Sequence, residues 1–532
     1  MPPAFPPAAP PPAQADGATP RRLLGVKLKA LRSEQGLPLR EVAGRAGVSV
    51  SYLSEIEKGR KYPKPEKLLD LAAALGVPYD DLVSLQVDAP LAGLKAVVES
   101  PFMRAFPFEL FGIDPENVLA LLASVPEGGA ALVRALFEVG RSHDVQTTPF
   151  LFAALRAYQQ LHANHFPDLE AAAAAFRQRH GWADRDRIDP DELAAVLRKT
   201  HGLRLDFERI PETPELERLR SVLVPGTAGK HPAAPTLLVN GRLLPEQRAF
   251  VLARELGFRE LAIAARPLTS SYVNPSSFDE VLGQFRASYF AGAVLLGRDR
   301  LVADLRRLFG QKTWDPDAFA GLFDRYGATP EMGFYRLTEL VPHHFGVKEL
   351  YFLRLKNRPG SGHYALTKSL NLSSAPVPAG TTAAEHYCRR WASVQALKAL
   401  ARRQAAGKGH DAPVVQARRV RFVGGEQGGG REVFTVAAAR PQALRRGTNA
   451  AVSLGFVMDA SFKRAARFWN DPAVERCDVG LTCERCPIPP SECKVRAAPP
   501  AALQKAERLD RREAALALLA EEVRREAEAM SA

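Results

Sequence analysis

The chain has 532 residues, 46% apolar and 25% charged, with 72 Lys and Arg against 59 Asp and Glu for a formal net charge of +13. That length exceeds one core and calls for roughly three or four structural units. Five cysteines in so long a chain exclude a disulfide scaffold, and the lack of any run near 18 uncharged apolar residues excludes a membrane span. The positive excess favours a polyanionic partner or a solubilising surface, and its location discriminates between them. Twelve Lys and Arg against five Asp and Glu lie between Arg21 and Lys67, so +7 of the +13 sits in under a tenth of the chain.

The leading "MPPAFPPAAPPPAQADGATP" has no basic n-region and no continuous apolar core, so it does not read as a signal peptide. Its prolines predict an extended, disordered tail over 1–20, and the protein is expected in the cytoplasm. Residues 24–83 read as five short helices. "LLGVKLKALRSEQG" has Leu24, Val26, Leu28 and Leu31 at helical spacing and stops at Gly36. "PLREVAGRAG" carries Pro38 in its first turn and turns Val42 and Ala43 inward. Ser49 caps "VSVSYLSEIEKGR", where Leu53 and Ile56 share a face. Gly47 supplies the tight turn between the second and third helices.

This order and spacing resembles the Cro/CI-type helix-turn-helix family, and the resemblance covers about sixty residues. It implies a domain over 21–87 whose third helix enters the major groove of double-stranded DNA by its N-terminal end. Position by position it makes Val50, Ser51 and Glu55 candidate base readers, Val50 toward a thymine methyl and Glu55 toward cytosine N4. Arg40, Arg45, Lys58, Arg60 and Lys61 become candidate phosphate contacts, with Ser49 and Tyr52 in the same interface and Tyr52 open to a packing role. The family pairs a first-helix Arg with the Glu ending the third helix, which makes Glu57 the partner of Arg32. Where the family often has Gln, this chain has Leu39, so that phosphate contact is lost or passes to Arg40.

The chain from 88 to 345 reads as largely helical, with short strands in "LRLDFERI" and "PTLLVNGRL". A long helix, "LPEQRAFVLARELGFRELAI", is expected to turn Phe250, Leu252, Leu256 and Leu261 inward. Together with "ASYFAGAVLL" this resembles the zinc-peptidase-like domain that follows such helix-turn-helix modules. In that family His-Glu-x-x-His supplies two ligands and a water-activating Glu. Here Arg254 and Phe258 replace the histidines, the third ligand position holds Arg286, and only Glu255 is kept. A general base without a Lewis acid has no metal-bound water to exploit. The site is therefore expected to be metal-free and non-catalytic, with Glu255 paired to Arg254 or Arg286.

The region 346–500 predicts a small α/β sensory domain. "ELYFLRL" reads as a strand, "EHYCRRWASVQAL" as an amphipathic helix in which His386 and Cys388 pack, and "ARRVRFVGGEQGGGREVFTVAAAR" as two strands around a Gly-rich hairpin tip. "GTNAAVSLGFVMD" has β-branched character. Cys477, Cys483, Cys486 and Cys493 lie within seventeen residues, a spacing open to a tetrahedral zinc site, an iron–sulfur cluster or free thiols. "RFVGGEQ", "ARPQALRRGTNAAVSLGF", "RFWNDPAV" and the Cys483-x-x-Cys486…Cys493 run resemble the short-chain fatty acyl transcriptional regulators. That resemblance implies a regulator of short-chain acid metabolism with an acyl-CoA-like effector. It matches three of the cysteines and leaves Cys477 extra. The last segment, 501–532, reads as a charged helix with Leu509, Leu516, Leu519 and Val523 at heptad-like spacing.

The expected fold is thus mainly α with α+β parts: a five-helix helix-turn-helix domain, a helical metallopeptidase-like middle domain and a C-terminal α/β effector domain. The expected function is a homodimeric, non-enzymatic, sequence-specific transcriptional regulator responding to a small metabolite. A DNA-bound redox or metal sensor acting through the cysteines is the alternative.

Overall fold

The structure is a computed structural model. It describes residues 24–83 apart from 26, 30 and 34, then 107–112, 147–213, 215–226, 234–267, 269, 275, 277–377, 385–407, 412–423, 430–489, 491–497, 511–515 and 518. The expected tail over 1–20 and the tip of the Gly-rich hairpin lie outside these residues. So does most of the expected final helix, of which 511–515 are helical. The chain divides into two compact units, one of 1–158 with 276–278, the other of 159–275 with 279–532.

In the first unit, the described residues of 24–33 are helical and four helices follow: α1 (Leu39–Arg45), α2 (Val50–Glu57), α3 (Pro65–Leu75) and α4 (Tyr79–Val83). Their apolar faces converge on one small core in which Leu53, Ile56 and Leu71 are fully buried and Leu28, Val42 and Ala43 nearly so. Polar ties close the bundle. Lys27 Nζ donates to the Asp81 carbonyl at 2.8 Å and Gln35 Nε2 to the Leu75 carbonyl at 2.7 Å. The five expected helices are therefore all present.

Helix α5 (Thr147–Leu161) runs across the division between residues 158 and 159, and the second unit goes on with α6 (Pro167–Arg179), α7 (Pro190–His201) and the short α8 (Arg209–Glu212). A three-stranded sheet has the order β1 (Arg204–Asp206), β3 (Thr236–Val239), β2 (Ser221–Val224), with β1 parallel and β2 antiparallel to β3. Then come α9 (Pro245–Glu260), α10 (Phe278–Leu295), α11 (Arg298–Phe309), α12 (Pro316–Arg325) and α13 (Pro330–Phe345). A six-stranded sheet follows, with strands β4 (Leu350–Asn357), β5 (Tyr364–Asn371), β6 (Val414–Phe422), β7 (Glu432–Pro441), β8 (Asn449–Val457) and β9 (Arg476–Val479). Its order is β5-β4-β8-β7-β6-β9, antiparallel except for the β6–β9 pair.

Side chains alternate across a strand, so this sheet has two different faces. Leu353, Leu355, Val433, Ala437, Ala439 and Ala451 belong to one core cluster with helix α14 (Ala392–Ala405). On the opposite face Phe352, Phe434 and Phe456 meet aromatic side chains of the preceding helices, as in Tyr335–Phe352, Trp314–Phe434 and Phe309–Phe456. Helix α15 (Ala460–Ala465) stacks Phe462 on Phe456. Helices and strands on either side of position 345 thus share one compact unit.

Charges are also buried in this unit. Arg336 on α13, fully buried, donates to both oxygens of Glu170 at 2.6 and 2.8 Å and to Glu339 at 2.8 Å, while Tyr289 donates to Glu170 at 2.7 Å. Burial raises both carboxyls, but Arg336 and Tyr289 hold Glu170 at about 2, whereas Glu339 is pushed up to about 8. The two carboxyls at one guanidinium are thus shifted in opposite directions, Glu170 down and Glu339 up.

Candidate nucleic-acid interface

Helix α2 begins at Ser49, whose hydroxyl accepts from the Tyr52 backbone N–H at 3.1 Å, an N-cap that leaves the first turn presented outward. Gly47 precedes it in a left-handed turn at φ +59, where a side chain would be strained. Leu53 and Ile56 anchor the inner face, so Val50 and Ser51 are carried on the outer one, Val50 42% exposed. The Ser49 and Ser51 hydroxyls lie 3.1 Å apart. Arg40, Arg45, Lys58, Arg60 and Lys61 are all exposed around this helix.

Three of the candidate contacts already have partners. Arg45 pairs with Glu41 one turn earlier on α1. Arg60 lies 3.4 Å from Glu55, so the candidate base reader Glu55 faces a cation of its own chain. Lys61 sits over the Tyr52 ring, 5.6 Å from its centroid, and Tyr52 is half-buried against the core. Exposed pairs of this kind are worth little and can be exchanged for phosphate. Arg32 donates to both Glu57 oxygens at 2.7 and 3.0 Å and to the Leu37 carbonyl. Its guanidinium is raised above its ordinary value by that carboxylate. The bidentate pair locks the end of α2 to the first helix, as the Arg32–Glu57 expectation required. Leu39 packs half-buried on the core.

Sequence reasoning missed Gly25. A Cβ there would fall 2.5 Å from the Ile56 carbonyl and 2.7 Å from that of Glu57, so the first helix touches the backbone of α2 directly. A glycine inside a helix costs about 1 kcal/mol against alanine, and that cost was the available signal.

The expected pairing of Glu255 with Arg254 or Arg286 is not what the structure has. Arg254 is buried and donates to the Ser221 hydroxyl at 3.3 Å; Arg286 pairs with Asp168 at 2.9 Å. Glu255, 3% exposed, is held by neither: its partners are Arg259 at 3.0 Å and Arg266, which grips both oxygens at 3.1 and 2.6 Å. The Arg266 guanidinium lies over the Phe258 ring, 4.0 Å from its centroid, so Phe258 completes the clamp. Helix α9 is buried nearly all round, from Val251 to Phe258, instead of on one stripe, and Phe250 and Leu261 are only half-buried. The close approach of α10 at Gly257 accounts for this, since a Cβ there would lie 2.9 Å from the Ala287 carbonyl.

The cysteines do not share one environment. Cys477, on β9, lies beside Arg418 at 3.9 Å. Cys388 follows Tyr387, which pairs with Thr482, and its backbone N–H donates to the Leu481 carbonyl at 3.2 Å. Burial is the main cause that pushes the Cys388 thiol up to about 11. All five thiols are free, and among the described residues no group of three or more His, Cys, Asp and Glu is placed to hold a metal ion. The segment 385–391 is not helical as expected, because it pairs with 481–483, and His386 bonds Glu484 at 2.9 Å. Among the described residues no helix is long and apolar enough to cross a membrane.

A helix-turn-helix domain family matches residues 23–85. The uncharacterized HTH-type transcriptional regulator y4dJ of Sinorhizobium fredii is 43% identical over 70 residues, 13% of this chain and 91% of that protein. The transcriptional regulator ClgR of Mycobacterium tuberculosis is 48% identical over 58 residues, 11% of this chain and 52% of that one. The HTH-type transcriptional regulator RamB of the same species is 23% identical over 297 residues, 51% of this chain and 57% of that one. The alignments thus span about half the length of ClgR and of RamB. Among solved structures, a Mycobacterium tuberculosis transcriptional regulator aligns with a TM-score of 0.44 and 20% identity over 66% of this chain and 94% of that one.

Proposed function

Because the chain belongs to the DNA-binding helix-turn-helix transcriptional regulators, we propose that it reads paired half-sites as a homodimer and that a small metabolite sets its affinity for them. The observation that carries this is the outward face of α2, where a capped first turn presents Val50 and Ser51 while Arg40, Lys58 and Lys61 flank it. One recognition helix covers only a few base pairs, and a second copy supplies the remaining affinity. Val50, Ser51 and, once released from Arg60, Glu55 read base edges; Arg40, Arg45, Lys58, Arg60 and Lys61 hold phosphates. The metabolite belongs to short-chain acyl metabolism, in line with the C-terminal motifs and with an acyl-CoA-like effector. Cytoplasmic action and the absence of peptidase activity belong to the same reading, the latter because Glu255 is clamped by two guanidiniums.

The test is a mobility-shift titration of the full chain on duplexes selected from a random pool. Replacing Ser51 by Ala should alter the selected sequence, and unchanged selectivity would refute the role of α2.

A second reading, a DNA-bound redox or metal sensor, is favoured by one observation: the Cys388 segment pairs with that of Cys483, whose Sγ lies 3.9 Å from the Tyr387 carbonyl, while Cys477 stands beside Arg418. Zinc and iron analysis of the purified chain, with Cys483→Ser in the same shift assay, separates the two. Stoichiometric metal and a shift that depends on Cys483 would favour the sensor; neither would leave the metabolite reading.

A further inference from the structure

On the helix-facing side of the six-stranded sheet, the pleat places Arg354 and Lys356 of β4 next to Val452 and Ala450 of β8 and to Ala438 and Arg440 of β7. Small side chains alternate there with long cationic ones, which leaves a hollow of about 360 Å³. That volume falls within the usual range for small-molecule sites. Arg218, Arg220 and Arg445 complete its wall, and the N-terminus of α13 at Thr329 and Pro330 closes one side. A second cavity of about 290 Å³ shares Arg218 and Arg445 with the first and adds Arg358 and Arg446.

The charge balance of the hollow is one-sided. Six cations line the first cavity against one carboxylate, Glu331, and that one is engaged by Arg354 at 3.0 Å. Burial works to raise Glu331, yet Arg354, Arg220 and Lys368 hold it at about 2, a measure of the positive potential there. The Gln442 side chain lines the same wall, and its Nε2 is buried with no hydrogen-bond partner. A donor left in that state costs free energy unless a ligand accepts from it. Leu243, Leu444 and Val452 supply an apolar strip beside the cations.

We propose that this hollow is a binding site for an organic oligophosphate, its phosphates held by Arg218, Arg354, Lys356, Arg440 and Arg445 and its organic arm lying along Leu243, Leu444 and Val452. A lone carboxylate or monophosphate would offset only one or two of these charges; a chain of two or three phosphoryl groups matches their number and spread. A duplex backbone does not fit, because the cations converge on a concave floor of small side chains instead of following a rod. Assigning this ligand a regulatory role rests on the effector reading above; the site itself does not.

The experiment is calorimetric titration of the full chain with inorganic tripolyphosphate, against sulfate at equal ionic strength. Wild type should prefer tripolyphosphate, and the double variant Lys356→Gln with Arg445→Gln should lose about tenfold or more in affinity, the size of two charge-assisted contacts. Arg218→Gln, in an exposed loop, repeats the test at lower risk to folding and should lose less, in the same direction. Equal binding by wild type and both variants would overturn the site. So would an equal loss of affinity for random duplex in the double variant, which would give the surface to nucleic-acid backbone. Should tripolyphosphate bind as proposed while DNA affinity ignores it, the site stands and the effector reading falls.

Discussion

The two units use charge in opposite ways. Around α2 the cations stay in water, in exchangeable pairs such as Arg45–Glu41 and Arg60–Glu55, above a small core made almost wholly of Leu, Ile, Val and Ala. In the interior of the second unit the same residue types are spent on one another: Arg336 is buried between Glu170 and Glu339, and the half-buried Arg259 and Arg266 close on the buried Glu255. Burial, not residue type, decides whether an arginine is available to a partner. Helix α9 shows this most plainly, since its Glu255 is as enclosed as a core leucine.

The largest expected effect tests the buried side of that contrast. Arg336→Met strands two carboxyls in the core and should cost about 3–5 kcal/mol in chemical denaturation, while DNA affinity per folded molecule stays unchanged. A loss under 1 kcal/mol would mean that the triad is solvated. On the other side, Gly25→Val drives a side chain into the Ile56 and Glu57 carbonyls and should destabilise the first unit by about 1–3 kcal/mol, with DNA binding falling in step. Unchanged melting would show that the first helix does not brace α2.

Protonation sharpens the comparison further. Glu339 has its folded value raised to about 8, so folding takes up a proton between the ordinary carboxylate range and that pH. Stability should therefore be greatest at the acid end of this window and fall as pH rises through it, by up to about 1.4 kcal/mol per unit from this group. Glu339→Gln, which keeps the neutral form, should flatten the slope measured by denaturation at several pH values. An unaltered slope would remove Glu339 from the account. Smallest is the effect of Lys58→Ala, which should weaken every duplex alike and lower the salt dependence by about one counterion. A change confined to one sequence would make Lys58 a reader instead of an anchor.

Legibility in the sequence followed the same divide. The five helices around α2 could be read because local signals agree: the Ser49 cap, the Gly47 turn, and Leu53 with Ile56 on one face. Strands β4, β6, β7 and β8 were legible from their apolar runs. The short β2 and β9, and β5 with its polar Thr367 and Lys368, carried no comparable pattern and depend on tertiary pairing. The partners of Glu255 were misjudged because Arg266 lies beyond the helix end, where only the folded chain brings it back. The start of α14 was misplaced for a related reason: 385–391 meets a segment nearly a hundred residues later.

The most direct measurement of the central claim is selection of duplexes from a random pool by the full-length chain, followed by sequencing. An enriched site with two inverted half-sites, centred about one helical turn or a multiple apart, is the predicted result. Recovery of a pool no different from its input, at a salt concentration where the chain still binds duplex, would contradict it.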